Sequence, residues 1–240
     1  MIDAMKRASA ARITAVVPYY GYGRTDKKDQ PRVPITARLI ADMIEVAGAH
    51  RLLTMDLHAG QIQGFFNIPV DELTAVFLQS RYFIEKALTN PVVVATDVGI
   101  AKRARNVAAM IDAPLAIIEK RRIGNSEQSE DLNVIGDVEG RTAVIFDDEI
   151  DTAGSLIEAT RALRERGAAD LYACCTHAIF SGAAVERIEA SPLREVVVTD
   201  TVPLRPGAAL PQVRVLSVAS LFGEAIQRIH TGSSVGELFQ

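Results

Sequence analysis

Four acidic residues are crowded where an apolar run of this sequence ends. In "VIFDDEIDTAGS" (144–155), the run Val144–Phe146 is followed by Asp147, Asp148, Glu149 and Asp151. Carboxylates this close repel one another, so something in the folded protein has to compensate for them. They could accept hydrogen bonds from sugar hydroxyls, or they could hold a cation.

A turn of small residues follows these acids and leads into a helical pattern. Thr152-Ala153-Gly154-Ser155 allow the backbone to fold tightly. The N–H groups at the start of the helix then offer an anion site that suits a phosphate. A phosphorylated sugar would satisfy both halves of the stretch, whereas the alternative is a solvated loop with an ordinary helix cap.

Two further apolar runs end in residues that could bind a metal or a phosphate. In "TMDLHAGQIQGFF" (54–66), Asp56 and His58 are two residues apart, which places both on one side if the segment is extended. In "VVVATDVGIAKRA" (92–104), Asp97 and Gly99 indicate another turn between a strand and a helix. A lone histidine is often a structural residue, and Mg²⁺ prefers oxygen ligands.

A fourth apolar run ends in positive charge. In "AIIEKRRIGNSEQSEDLNVIGD" (116–137), three basic residues leave a predicted strand and enter a polar segment. Such a segment suits a mobile lid over an anionic substrate. Standing alone, the basic run would be a solvated surface cluster.

These four stretches require strands and helices that alternate along the chain. Predicted strands are Ile13–Val17, Arg51–Met55, Val92–Ala95, Leu115–Ile118, Ala143–Phe146, Leu171–Cys175, Val196–Thr199 and Val213–Leu216. Predicted helices lie near Ile35–Ala47, Thr74–Leu88, Ile100–Met110, Ser155–Arg166, Ala183–Glu189 and Ser217–Ile229. This order predicts an α/β protein with one or two parallel sheets covered on both faces, and ligands at the carboxyl ends of the strands.

The stretches together resemble the ribose-phosphate pyrophosphokinases, also called phosphoribosyl pyrophosphate synthetases. "VIFDDEIDTAGS" is similar to the phosphoribosyl-pyrophosphate-binding signature of the type I phosphoribosyltransferase fold. "TMDLHAGQIQGFF" is similar to a family fingerprint that ordinary phosphoribosyltransferases lack, and "PYYGYGRTDKKDQPRVP" (18–34) resembles the ATP-binding segment. The resemblance extends from "IDAMKRASA" to "SSVGELF".

The resemblance implies a fold class and a domain division. We expect two phosphoribosyltransferase-type parallel sheets flanked by helices, the N-terminal one incomplete. Family members begin with a further segment that contains a Phe-Ser-Asp-Gly-Glu motif, which is not found here. Residues 1–73 with 217–240 would form the ATP side, and residues 74–216 the ribose 5-phosphate side.

The resemblance also implies site residues. Lys120 and Arg122 would carry catalysis, with Arg122 also contacting ribose 5-phosphate. The other expected contacts of ribose 5-phosphate are Asp147, Asp148, Asp151, Thr152, Ala153, Gly154 and Ser155. The expected contacts of ATP are Arg24, Thr25, Asp26 and His58. Magnesium is the implied cofactor, near His58 and Asp97.

The implied activity is transfer of the diphosphoryl group of ATP to ribose 5-phosphate by a homo-oligomer, commonly a hexamer. Inhibition by ADP at a second site, and an effect of phosphate, are further expectations. Two other functions stay open: a phosphoribosyltransferase, and a non-catalytic regulatory relative. Thr25 and Ile100, which replace a more usual glutamine and glycine, favour the regulatory relative.

Composition excludes several classes of protein. The 240 residues are 48% hydrophobic and 23% charged, which is typical of a globular chain. The net charge of −4 argues against general affinity for nucleic acid. No apolar run is long enough to span a membrane, and Cys174 and Cys175 suggest no disulfide framework. We therefore expect a cytoplasmic protein with neither membrane nor nucleic acid as partner.

Overall fold

The computed structural model describes the backbone of residues 1–122 and 130–239, and the side chains of residues 1–119 and 132–238. Within these ranges the chain divides into two compact units. Residues 1–74 and 225–238 form the first unit, and residues 75–224 form the second.

Helices and strands alternate through most of the chain. The helices are α1 (Ile2–Arg7), α2 (Thr36–Ala47), α3 (Val76–Lys86), α4 (Ala101–Met110), α5 (Gly154–Glu165), α6 (Ala184–Glu189) and α7 (Ala219–Thr231). The strands are β1 (Thr14–Val17), β2 (Arg51–Met55), β3 (Val70–Leu73), β4 (Pro91–Ala95), β5 (Leu115–Arg122), β6 (Glu130–Ile135), β7 (Thr142–Ile150), β8 (Asp170–Ala178), β9 (Glu195–Thr199) and β10 (Val213–Leu216).

The first unit contains a parallel three-stranded sheet in the order β1-β2-β3. Helix α2 packs on it through Ala37 and Ala41, which share a buried cluster with Leu52. The helix ends at Gly48, whose φ of +108° is costly for any residue with a Cβ. A Cβ there would also lie 2.7 Å from Lys6 Cδ, so the exposed Lys6 side chain would have to move.

The second unit contains a seven-stranded sheet in the order β10-β9-β8-β7-β4-β5-β6. Strand β7 lies in the middle, with β8 on one side and β4 on the other, both parallel to it. The edge strand β6 pairs antiparallel with β5. The carboxyl ends of β4, β7 and β8 therefore meet at one edge of the sheet.

Both faces of this sheet are buried, as its apolar strands predict. Val92 and Val94 of β4 belong to one core cluster, which includes Leu156 and Leu163 of α5. Val93, between them, belongs to the opposite cluster, which includes helices α3 and α4. This packing fixes both β7 and the start of α5.

The predicted α/β class is confirmed, with two sheets rather than one. Parallel pairing dominates both sheets, as predicted, and β6 departs from it by pairing antiparallel with β5. Strands β3 and β6 and helix α1 were not predicted. Within residues 1–122 and 130–239, no helix is long and apolar enough to cross a bilayer.

Candidate active site

Strand β7 continues to Ile150, four residues beyond its predicted end, so Asp147, Asp148 and Glu149 lie in its last residues. Asp151 opens the turn that leads into α5. Ala153 takes a left-handed φ of +60°, and α5 starts at Gly154. No side chain caps this helix. The N–H groups of its first turn lack partners within the helix, so they are available to an anion. Thr152 and Ser155 are exposed at this turn.

Asp147, in the last part of β7, accepts two hydrogen bonds. Its Oδ2 accepts from Thr96 Oγ1 at 2.7 Å, and its Oδ1 accepts from the Asp148 N–H at 2.9 Å. Burial, and then the neighbouring Asp148 carboxylate, raise the pKa of Asp147 well above its usual range. Asp148 itself is only 5% exposed. This pair is therefore a costly arrangement in the absence of a ligand.

Asp151 is held from the segment that follows β8. Its Oδ1 accepts a hydrogen bond from Ser181 Oγ, and its main-chain oxygen accepts from the Ser181 N–H at 2.9 Å. Arg187 Nη1, on α6, donates to the Thr152 oxygen at 2.8 Å. The turn that offers the anion site is thus fixed from outside by α6 and by the segment after β8.

Asp97 lies in the loop between β4 and α4. Its side chain is exposed, and Oδ1 accepts from the Ile100 N–H at 3.0 Å. A Cβ at Gly99 would lie 3.1 Å from that oxygen, so glycine leaves room for the carboxylate. Ile100 has an ordinary helical φ of −83° and is buried. The turn therefore forms without a second glycine at that position.

The predicted catalytic residues, Lys120 and Arg122, are described in backbone only. Strand β5 continues to Arg122, where it pairs with Glu130 of β6. The expectation that the chain leaves the strand before these basic residues was wrong. Their side chains, and residues 123–129 of the predicted lid, lie outside the part of the chain that is described.

The four residues expected to contact ATP lie in the first unit. Arg24 and Thr25 are exposed in a short 3₁₀ helix, Gly23–Thr25, and Asp26 follows it. Asp26 is 8% exposed and accepts from Gln61 Nε2 at 2.7 Å. A Cβ at Gly23 would lie 3.3 Å from His58 Cβ. The structure therefore brings the 18–34 and 54–66 stretches together.

The argument that an extended segment presents Asp56 and His58 on one side was wrong. Strand β2 ends at Met55, and Asp56 takes a left-handed φ of +40°. Asp56 is only 3% exposed, whereas His58 is exposed. Of the two, only His58 is accessible to a ligand.

No group of three or more His, Cys, Asp or Glu side chains is arranged to hold a metal ion in the described part of the chain. Magnesium commonly keeps several waters and binds through one or two carboxylates together with substrate phosphates. The exposed Asp97 carboxylate fits that kind of site. A site made of protein ligands alone does not fit the residues described.

Sequence reasoning missed Thr96, Ser181 and Arg187, which touch the candidate site residues. Thr96 directly follows the apolar run of β4, and Ser181 lies in "ACCTHAIFSG" (173–182). Hydroxyl residues just after a strand were the only local signal. The residues that these hydroxyls contact depend on which strands lie beside β7. A short stretch of sequence does not reveal that strand order.

A cavity of about 420 Å³ in the first unit contains none of the expected site residues. It lies at the amino ends of β1 and β2, away from their carboxyl ends. Its lining is Arg12, Thr14, Val16, His50, Arg51, Pro69, Ile226, Ile229 and His230. Ligands of parallel sheets usually bind at the opposite end, so this cavity does not change the site assignment.

Comparison with known proteins identifies the family. Residues 1–48 match the N-terminal domain of ribose phosphate pyrophosphokinase, and residues 123–240 match the phosphoribosyl synthetase-associated domain. A ribose-phosphate pyrophosphokinase of Caldanaerobacter subterraneus subsp. tengcongensis is 55% identical over 240 residues, which are 100% of this chain and 76% of that protein. A ribose-phosphate pyrophosphokinase of Clostridium acetobutylicum is 51% identical over 242 residues, with the same shares covered.

A solved structure shows the same relationship. The crystal structure of a phosphoribosylpyrophosphate synthetase from Mycobacterium smegmatis matches with a TM-score of 0.90 and 42% identity. The match covers 97% of this chain and 76% of that one. With this similarity in sequence and fold, the chain belongs to the ribose-phosphate pyrophosphokinase family of enzymes.

Proposed function

We propose that the protein transfers the diphosphoryl group of ATP to the anomeric hydroxyl of ribose 5-phosphate, giving phosphoribosyl pyrophosphate and AMP. One observation carries the proposal. The carboxylates of Asp147, near the end of β7, and of Asp151, in the turn that follows, lie just ahead of the uncapped start of α5 in the chain. A ligand that carries a phosphate beside neighbouring hydroxyls suits such a turn.

The ribose 5-phosphate site is assigned to this turn. The phosphate accepts hydrogen bonds from the N–H groups at the start of α5 and from the Thr152 and Ser155 hydroxyls. Ala153 and Gly154 contribute their backbone. The ribose hydroxyls donate to Asp147 and Asp151, and Asp148 supports Asp147 through its N–H. Charge repulsion between the acids and the phosphate is avoided because they contact different parts of the sugar.

ATP binding is assigned to the first unit, to Arg24, Thr25, Asp26 and His58. The exposed Arg24 guanidinium suits a phosphate oxygen. The Asp26–Gln61 hydrogen bond joins the two stretches that carry these residues. His58 is exposed beside them and is assigned to the metal–ATP complex.

In the proposed reaction, the anomeric hydroxyl attacks the β-phosphorus of ATP in line and AMP leaves. Such chemistry depends on placement and charge stabilisation, without a covalent enzyme intermediate. Lys120 and Arg122 offset the negative charge that develops on the transferred group. The exposed Asp97 carboxylate would help to hold Mg²⁺, which would neutralise further charge on the phosphates when bound.

We also propose that the protein works as a homo-oligomer, with a hexamer as the expected form. Regulation by ADP and phosphate is part of the same proposal. These properties come from the family resemblance.

The test is incubation of the protein with ATP, Mg²⁺ and ribose 5-phosphate, followed by measurement of AMP. We expect AMP and phosphoribosyl pyrophosphate in equal amounts, both dependent on ribose 5-phosphate. A parallel reaction with phosphoribosyl pyrophosphate and nucleobases tests for a phosphoribosyltransferase. The absence of AMP above the control without ribose 5-phosphate would refute the proposal.

A further inference from the structure

The two acids assigned to ribose each accept a hydroxyl hydrogen bond from a residue that follows a different neighbouring strand. Strand β7 lies between β4 and β8. Thr96, directly after β4, donates to Asp147, and Ser181, three residues after β8, donates to Asp151. The same kind of contact therefore reaches the site from both sides of its central strand.

The Thr96 contact is well defined by its surroundings. Thr96 is 8% exposed, and it follows Ala95, which is paired with Phe146 in the sheet. The strand pairing thus fixes the position of the Thr96 hydroxyl relative to Asp147. The bond to Oδ2 uses one lone pair of that oxygen, and a carboxylate oxygen has two. Asp147 remains able to accept from a ligand.

The Ser181 contact is equally constrained, although by another route. Phe180 and Ser181 donate main-chain hydrogen bonds to the oxygens of Ile150 and Asp151, at 3.1 and 2.9 Å. Phe180 is 1% exposed and has a left-handed φ of +48°. Such a conformation is costly for a bulky residue and persists only when packing holds it. It places both the N–H and the hydroxyl of Ser181 against Asp151.

We propose that Thr96 and Ser181 are positioning residues, which orient the carboxylates of Asp147 and Asp151 to receive the hydroxyls of a sugar phosphate. This inference rests on the proposed function. Holding each carboxylate in one rotamer before the ligand arrives lowers the entropy cost of binding. The benefit applies to ribose 5-phosphate and leaves the ATP contacts in the first unit unaffected.

The variants Thr96→Val and Ser181→Ala test the inference in the full chain. Loss of a hydrogen bond to a charged group typically weakens an interaction roughly ten- to hundredfold. We expect each variant to raise the Kd of ribose 5-phosphate, measured by calorimetry, by about tenfold, and to raise its KM by the same factor. The effect should be at the lower end of that range because the other contacts with the ligand remain. The KM for ATP and kcat should stay within about twofold of wild type.

Matched controls separate positioning from general stability. Thr160→Val removes a buried hydroxyl that donates to the Leu156 oxygen at 2.8 Å. Ser191→Ala removes a partly buried hydroxyl that donates to the Ile188 oxygen at 2.6 Å. Both should lower Tm without changing the Kd of ribose 5-phosphate. Thr96→Ser, which restores a hydroxyl, should recover most of the lost affinity.

A double-mutant cycle adds a readout that a purely structural role would not move. In the Asp147→Asn background, Thr96→Val should weaken ribose 5-phosphate binding by much less than tenfold, because the charged acceptor is gone. The inference would be overturned if Thr96→Val weakened ribose 5-phosphate binding equally in the wild-type and Asp147→Asn backgrounds. It would also be overturned if the Kd values of Thr96→Val and Ser181→Ala matched those of the control variants. Wild-type protein that neither binds ribose 5-phosphate nor forms AMP would instead overturn the proposed function, and this inference with it.

Discussion

Asp147 lies in surroundings that are unfavourable to its charge. Burial and the adjacent Asp148 carboxylate raise its pKa, and the hydrogen bonds from Thr96 and from the Asp148 N–H oppose that rise only in part. The folded protein therefore binds a proton at Asp147 more tightly than the unfolded chain does. Between the ordinary carboxyl pKa and the raised one, this residue's contribution to stability falls as pH rises.

The substitution Asp147→Asn should consequently stabilise the protein while weakening ribose 5-phosphate binding. An asparagine can accept from the Asp148 N–H and donate to Thr96 Oγ1, since a hydroxyl both donates and accepts. A gain of ~1 kcal/mol would raise Tm by about 2–4 °C in a chain of this size. The gain should be largest at pH 8 and shrink as acid neutralises Asp147, as thermal unfolding across pH can show.

A control for that comparison is Glu165→Gln. Glu165 is exposed, with its side chain 4.0 Å from Arg161 in a weak ion pair. Its substitution should change Tm little at any pH. An Asp147→Asn protein that is less stable than wild type at pH 8 would contradict the account of Asp147.

Lys120→Ala tests the proposed chemistry at a second residue. Removing one preorganised donor to a developing charge typically costs about 10²–10³ in rate. We therefore expect kcat to fall by that factor while Tm stays unchanged, measured by AMP release and thermal unfolding. Arg121→Ala is the matched control, because Arg121 has a similar charge but no role in the family resemblance. A Lys120→Ala enzyme that keeps more than about a tenth of wild-type kcat would show that Lys120 is not catalytic.

At this scale the sequence predicted the acids and the turn but missed the residues that hold them. Asp147 and Asp151 follow an apolar run and precede a small-residue turn, which is a local pattern. Thr96 lies 51 residues from Asp147 in the sequence, and Ser181 lies 30 from Asp151. Contacts that depend on strand order have no local signature.

At the scale of elements, α3 is joined to β9 by a partly buried ion pair. Lys86 Nζ lies 2.8 Å from Glu195 Oε2, with the two side chains 28% and 18% exposed. Tyr82 Oη donates to the other oxygen of Glu195. The hydrogen bond to Glu195 is the main cause that raises the pKa of Lys86. Burial, and then Glu195, raise the pKa of Tyr82.

Glu195→Gln should lower the free energy of unfolding by about 1–2 kcal/mol, because two partly buried partners lose a charged acceptor. The control is Glu85→Gln in the Arg81–Glu85 pair, whose side chains are 79% and 62% exposed. That change should cost less than ~0.5 kcal/mol. The part of this effect that comes from Lys86 should be fully present below the ordinary lysine pKa and be lost at alkaline pH, as the raised Lys86 pKa is passed. Equal losses for the two variants in urea unfolding would refute the assignment.

The strands that sequence reasoning missed are both at sheet edges. The sequence of β3 is Val-Asp-Glu-Leu, and both of its acidic side chains make contacts within the first unit. Asp71 forms an ion pair with Arg51 at 2.5 Å, and Glu72 accepts a hydrogen bond from the Leu57 N–H. β6 is also polar and lies at the edge of the larger sheet. Edge strands bury less surface and tolerate charge. The apolar run that identifies a central strand is therefore missing from them.

For the whole molecule, the alternation of strands and helices was enough to predict the class. The central strands are buried on both faces, so their sequences are continuously apolar and easy to recognise. The strand order was not predictable in the same way. Strand β7 pairs with β4, although the chain between them includes β5 and β6. Order depends on packing of whole elements, and local patterns do not encode it.

Helix α2 has apolar residues on two faces. Ala37 and Ala41 are buried in the core of the first unit. Leu39, Met43 and Val46 are 51%, 59% and 82% exposed, and their spacing puts them on one stripe of the helix. A helix that is apolar on both faces is normally buried on both. If the protein is a homo-oligomer as proposed, we expect this stripe to contact a second copy of the chain.

Met43→Glu should therefore reduce the native mass of the protein, measured by sedimentation equilibrium. A charge placed in an apolar interface loses hydration without gaining a partner, so the assembly should dissociate. The control is Ile84→Asp, a similar change at a position on α3 that is 52% exposed. It should leave the mass unchanged. If Met43→Glu keeps the wild-type mass, or if the wild-type protein is a monomer, the stripe on α2 is not an interface between copies, and its exposure would need another cause.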